Sequence, residues 1–134
     1  MKKHSVLVDT CIWIEYFKNN TKIVKVVDEL MNEDTLYTTG VVIAELLYGL
    51  KTTQEQNLLN QCIDAVKILD DRTEDWKNSG LLGNALRKKG ITIPLTDLLV
   101  SAIAVREDVC VFTWDKHFSQ IPNLKLFEAV LWEE

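Results

Sequence analysis

Four carboxylates stand where this chain passes from one apolar segment to the next: Asp9, Glu45, Asp97 and Asp115. "HSVLVDTCIWIEYF" (4–17) runs a β-branched stretch into Asp9 and then into an aromatic helix. Asp97 follows "IPLT" at the head of an apolar helix, Asp115 lies two residues past "VCVFT", and Glu45 interrupts "VVIAELLYGL". Each has a purely structural reading. Asp9 can cap the helix that begins near Thr10, Asp97 the helix over 96–107, and Asp115 the turn "DKHF", because Asp accepts from the free N–H groups of a helix start. Glu45 shares a helix side with Val41, Tyr48 and Gly49, so plain exposure accounts for it. Taken together they have a second reading. Four carboxylates gathered at one edge of a parallel sheet repel strongly unless a cation sits among them. Oxygen donors with few histidines suit Mg²⁺ or Mn²⁺ over Zn²⁺. Such a cation serves phosphate chemistry, activating a water and neutralising charge in the transition state.

The elements that must position these groups follow from periodicity. "SVLV" (5–8) has the β-branched character of a strand buried in a parallel sheet. Helices are predicted over 10–18 and 22–33, the latter placing Ile23, Val26, Val27, Leu30 and Met31 at helical spacing. "TLYTT" (35–39) is a second strand, separated by Gly40 from an apolar helix over 41–50. A long amphipathic helix over 53–66 leads into a third strand, "VKIL" (66–69). The helix over 73–89 ends in "RKKG", with cations in its last turn and a glycine after it. A helix over 96–107, a strand over 109–113 and a short last strand over 124–127 complete the chain. Alternating strands and helices imply an α/β fold with a mostly parallel sheet covered on both faces. The cleft of such a sheet lies beyond the carboxyl ends of its strands, where strand order reverses.

Composition limits the classes further. The 134 residues suit a single domain over 1–134, with no repeat, low-complexity tract or Pro/Gly-rich linker to divide it. The longest clear apolar stretch, "LLVSAIAV" (98–105), is far short of a membrane span. Lys2 and Lys3 precede too short an apolar run for a signal peptide. Cys11, Cys62 and Cys110 are odd in number and widely spaced, which fits buried thiols in a reducing cytoplasm. His4 and His117 are too few for a histidine-rich metal site. A net charge of −5 argues against a nucleic-acid partner until the four carboxylates are set aside. That leaves 16 acids against 15 bases, and bound metal offsets the rest.

Four blocks, "VLVDTCIWIEYF", "TTGVVIAELLYGL", "ITIPLTDLLVSAIAV" and "VFTWDKHFSQIPNLKLF", resemble in order the signature blocks of the PIN domain, with the spacing of VapC-type toxins. The resemblance covers Ser5 to about Phe127. It implies a three-layer α/β/α sandwich with a mostly parallel central sheet. It places Asp9, Glu45, Asp97 and Asp115 on the family's acidic metal site and Thr113 on its active-site hydroxyl position. It further implies metal-dependent RNA cleavage with Mg²⁺ or Mn²⁺, a homodimer, and a cognate antitoxin that blocks the site. "IWIEYF" with the 22–33 helix is a candidate interface for these partners. The departures are Ser101, where a small apolar residue is commoner, and Trp114, at a variable place.

The supporting residues divide between two roles. Arg87, Lys88, Lys89, Arg106 and Lys116 can contact phosphates, though cations in a helix's last turn also serve the helix itself. His117 can hydrogen-bond a leaving group or be structural beside Phe118. Trp13, Trp76 and Trp114 can stack on bases, Trp13 being better suited to packing. Gly80 and Gly83 permit close helix contact.

Two further α/β classes use an aspartate after the first strand. A haloacid-dehalogenase-like phosphatase needs a second acid two residues on, where this chain has Cys11. A response-regulator receiver needs adjacent acids, and Asp9 stands alone. A catalytically silent PIN-like binding module is the remaining alternative; loss of an acid would mark it, and all four are present.

Overall fold

The computed structural model describes residues 5–128; Lys2, Lys3 and His4, on which two of the expectations above bear, lie outside them. Four short strands, β1 (Val6–Val8), β2 (Leu36–Thr39), β3 (Lys67–Leu69) and β4 (Cys110–Phe112), form one sheet in the order β3-β2-β1-β4. Every pairing is parallel. The chain therefore builds outward from β1 through β2 to β3 and returns to the other side of β1 with β4. Strand order reverses between β1 and β4. The register sets Val8 beside Phe112, and the Asp9 N–H donates to the Phe112 carbonyl at 3.0 Å.

Why these residues make strands is plain from burial: all of β1 and β2 is buried, so each strand is apolar or hydroxyl-bearing throughout without alternation. Six helices connect them: α1 (Thr10–Phe17), α2 (Thr21–Asn32), α3 (Gly40–Gly49), α4 (Thr53–Ala65), α5 (Thr73–Lys88) and α6 (Leu95–Glu107). A 3₁₀ helix, Lys116–Gln120, follows β4. Capping side chains start several of them: Asn20 accepts from the Ile23 N–H, Thr39 from Val42 and Thr52 from Glu55. Gly90, at φ 81°, ends α5 as "RKKG" predicts. The core runs through the sheet, with Val6, Leu7, Val8, Val111 and Phe112 clustered with Ile12, Ile23, Val27, Leu98 and Val100.

Most element ends shift by a single residue from the sequence reading, and three differences have a physical cause in the structure. The segment 124–127 makes a single parallel bridge, Leu126 to Val111, flanked by hydrogen bonds of 2.9 Å and 2.8 Å between Val111 and residues 125 and 127. It follows a turn with Asn123 in the left-handed region, and is too short to extend the ladder. Helix α3 begins at Gly40 itself, since Thr39 already caps it. Helix α6 begins at Leu95 with Pro94 at the capping position, so Asp97 lies inside the first turn and caps nothing. Of the two glycines in α5, only Gly83 makes a close approach. A Cβ there would stand 2.9 Å from the Leu98 side chain, whereas Gly80 faces open space.

Candidate metal centre

Asp9, at the carboxyl end of β1, is 6% exposed. Its backbone occupies the N-cap position of α1, yet its side chain makes no capping hydrogen bond. The carboxylate turns instead toward β4, where its Oδ2 accepts from the Thr113 hydroxyl at 2.9 Å. The Thr113 oxygen in turn accepts the Asp115 N–H at 3.0 Å. One hydroxyl thus ties the ends of the two strands that flank the order reversal. Asp115 also caps the 3₁₀ helix, its Oδ1 accepting the His117 N–H at 2.9 Å, so for this residue the capping reading holds as well. Glu45 is exposed on α3, and its Oε1 accepts from the Thr10 hydroxyl at 2.8 Å, which draws it toward the start of α1. Asp97 is half-buried in the first turn of α6.

The charges of the other three acids act on Asp97. Burial, then the charges of Asp9, Asp115 and Glu45, push the Asp97 carboxyl up to about 6, with His117 acting in the other direction. Asp9 is raised chiefly by burial; hydrogen bonds from Thr113, the Thr10 main chain and Cys11 only partly offset this, and the Asp115 charge adds to it. A group of like charges held together at this cost is the donor set a divalent cation relieves. Donor atoms of Asp97, Asp115 and His117 lie within 4.8 Å of one another. The residues present therefore fit a cation with oxygen preference.

Two participants escape a reading by residue type. The Cys11 sulfur lies 3.4 Å from both Asp9 Oδ2 and the Thr113 oxygen, so this thiol lines the site where the sequence suggests only a buried cysteine. Burial, and then the Asp9 charge, push it up to about 11, which keeps it a neutral donor. Thr10 is the second, through its bond to Glu45. The only sequence signal for either is adjacency to Asp9. Ser101 is fully buried and donates to the Asp97 carbonyl at 2.8 Å, which explains how a hydroxyl is tolerated on an apolar helix face.

Other candidates lie elsewhere. Arg106 does not face a phosphate site: it forms a fork with Asp75, 2.9 Å to each carboxylate oxygen, and also bonds the Asp70 carbonyl and Glu107. The guanidinium is used up inside the α5–α6 contact. Arg87, Lys88 and Lys89 are exposed at the end of α5, and Lys116 is exposed beside Asp115. Trp13 is buried and stacks on Phe17, as packing predicts. Trp76 is half-exposed with its indole N–H on Asp71, and Trp114 is 43% exposed between Thr113 and Asp115. Phe118, and not His117, fills the core after β4. A hollow of about 300 Å³ opens beside Glu45, with Ile14, Phe17, Leu46 and Leu50 among its lining.

Comparison with known proteins agrees with this architecture. The family model for the PIN domain matches residues 6–124. Ribonuclease VapC2 of Rickettsia felis is 32% identical over 102 residues, covering 72% of this chain and 76% of that protein. Ribonuclease VapC of Rickettsia bellii is 28% identical over 137 residues, covering 94% and 97%. The crystal structure of VapBC2 from Rickettsia felis, bound to a DNA fragment from its promoter, superposes with a TM-score of 0.80. The match is 27% identical and covers 91% of this chain and 96% of that one.

Proposed function

The chain belongs to the PIN-domain family, and from this membership we propose that it is a VapC-type endoribonuclease, the toxin of a toxin–antitoxin pair. It cleaves RNA phosphodiester bonds with Mg²⁺ or Mn²⁺ held by Asp9, Asp97, Asp115 and Glu45. The observation that carries the reading is geometric: Thr113 joins the Asp9 carboxylate to the Asp115 main chain where strand order reverses, and donor atoms of Asp115 and Asp97 lie within 4.8 Å of each other. When bound, the cation supplies an activated water and neutralises charge on the phosphate.

The protein's own residues prepare that chemistry. Thr113 fixes the Asp9 carboxylate by donating to it and sets Asp115 by accepting its N–H, so two acids from adjacent strands hold one geometry before substrate arrives. Thr10 restrains the longer and more mobile Glu45. The exposure of Trp114, between Thr113 and Asp115, supports a role in stacking on a base of the RNA. Lys116, Arg87 and Lys88 are exposed cations for the flanking phosphates.

The partners are an RNA substrate, a cognate antitoxin and a second copy of the chain in a homodimer. The R. felis relative's structure is of a VapBC complex, which supports the antitoxin. An antitoxin arginine reaching the acids would pair with carboxylates as a fork and exclude the cation. No described helix is long and apolar enough to cross a membrane, and three free thiols suit a reducing, cytoplasmic location.

Cleavage of a panel of structured RNAs by purified protein tests the reading. Mg²⁺ or Mn²⁺ supports cleavage and EDTA abolishes it. Turnover by protein proven metal-free overturns the mechanism, and RNA binding without cleavage at any metal concentration returns the chain to a binding module.

A further inference from the structure

We propose that His117 is a nitrogen donor to the cation and biases the site toward Mn²⁺ over Mg²⁺; this rests on reading the acids as a cation site. The local fold presents the imidazole to the acids. Asp115 Oδ1 accepts the His117 N–H at 2.9 Å, and this tight turn swings the ring back until its Nδ1 stands 3.3 Å from the same oxygen. That separation exceeds a charge-assisted hydrogen bond, which runs at about 2.7–2.9 Å. It is close to the spacing, about 3 Å, of two donors at right angles around one divalent cation. Asp97 completes the group, with donor atoms of all three residues within 4.8 Å. Two donors on opposite sides of one cation stand roughly 4.2 Å apart, so the set closes on an ion with small side-chain movements.

The ring is free to take this part. Phe118 is buried in the core, while the His117 side chain is 49% exposed and is needed for no packing. Among the described residues its ring pairs with Asp115. The chemistry then separates the two metals. Mg²⁺ prefers oxygen ligands and gives up water reluctantly, whereas imidazole suits the first-row transition ions. An otherwise all-carboxylate site gains selectivity for Mn²⁺ from one nitrogen.

The test uses whole purified protein with Mn²⁺ as the paramagnetic probe. Electron spin-echo modulation reports nitrogen bound directly to the ion, and titration with Mg²⁺ competition reports both affinities. Wild type shows nitrogen modulation, and His117→Gln loses it. In His117→Gln the Mn²⁺ affinity falls about tenfold while Mg²⁺ affinity changes less than about twofold. His117 is exposed, so the variant folds, and its melting temperature without metal checks this. Mn²⁺ binding that is lost in Asp97→Asn but shows no nitrogen modulation in wild type overturns the role of His117 and leaves the acidic site standing. Modulation that persists in His117→Gln, or equal losses for both metals, likewise overturns the inference. Mn²⁺ binding absent from wild type, or undiminished in Asp97→Asn, overturns the acidic site and this inference together.

Discussion

Asp9 and Asp97 sit at helix starts where aspartate is favoured as a cap, yet neither side chain caps its helix. Asp9 spends its carboxylate on Thr113 and Cys11, and Asp97 is held half-buried among three other acids. Asparagine keeps the shape and the hydrogen-bond accepting oxygen but removes the charge. Asp9→Asn and Asp97→Asn therefore leave the metal-free fold as stable as wild type or firmer, because one member of a repelling group is gone. RNA cleavage falls by about 100-fold or more in each, the scale of losing one element of transition-state charge stabilisation. Added Mn²⁺ raises the melting temperature of wild type by binding the folded site, and that of the variants much less. Thermal melts with and without metal, set beside cleavage rates, measure both halves. Wild-type cleavage in either variant returns its aspartate to a structural role.

At the scale of elements, the same separation of structure from chemistry applies to Arg106. The Asp75 side chain is 1% exposed, and burial alone would raise its carboxyl. Hydrogen bonds from Arg106 and the Arg72 N–H outweigh that and hold it below its ordinary value. A depressed folded-state value means that the pair's stabilisation is present above the unfolded value of 3.8 and is lost as pH falls through the lower folded one. Arg106→Ala strands a buried charge between α5 and α6 and costs about 3–5 kcal/mol by urea unfolding near neutral pH. RNA affinity of the folded variant stays that of wild type; a loss of affinity without a loss of stability restores the phosphate-contact reading. The sequence suggested that reading because cation type and helix position say nothing of a partner 31 residues away. Elements themselves were legible, since short β-branched runs and helical spacing are local properties, and every strand of the sheet was found within two residues at each end. What lay beyond local reading was strand adjacency. Cys11 and Asp9 reach Thr113 across more than 100 residues only because β4 returns beside β1. The acid quartet was legible as four separate interruptions, and its convergence followed from an assumed parallel sheet that the pairings bear out.

For the whole molecule, charge and apolar surface meet at one place. The chain carries a net −5, and one of its site acids, Glu45, lines a hollow together with Ile14, Phe17, Leu46 and Leu50. Part of the "IWIEYF" and 22–33 surface proposed for partners is core: Ile12, Trp13, Ile23, Val27 and Leu30 are buried. Ile14 remains 42% exposed, and Leu47 and Tyr48 stand out from α3 nearby. An antitoxin that covers this apolar area brings its own cations within reach of the acids, so docking and inhibition become one event. Substituting a charge into the hollow separates them. Ile14→Glu introduces an unpaired carboxylate that the complex must bury, and weakens antitoxin binding about tenfold or more. Cleavage by the free variant stays that of wild type, because Ile14 touches none of the site's hydrogen bonds. The expected signature is RNA cleavage that continues at antitoxin concentrations sufficient to silence wild type, read by titrating one against the other. Unchanged antitoxin affinity in Ile14→Glu places the partner on another face and breaks the link between this hollow and inhibition.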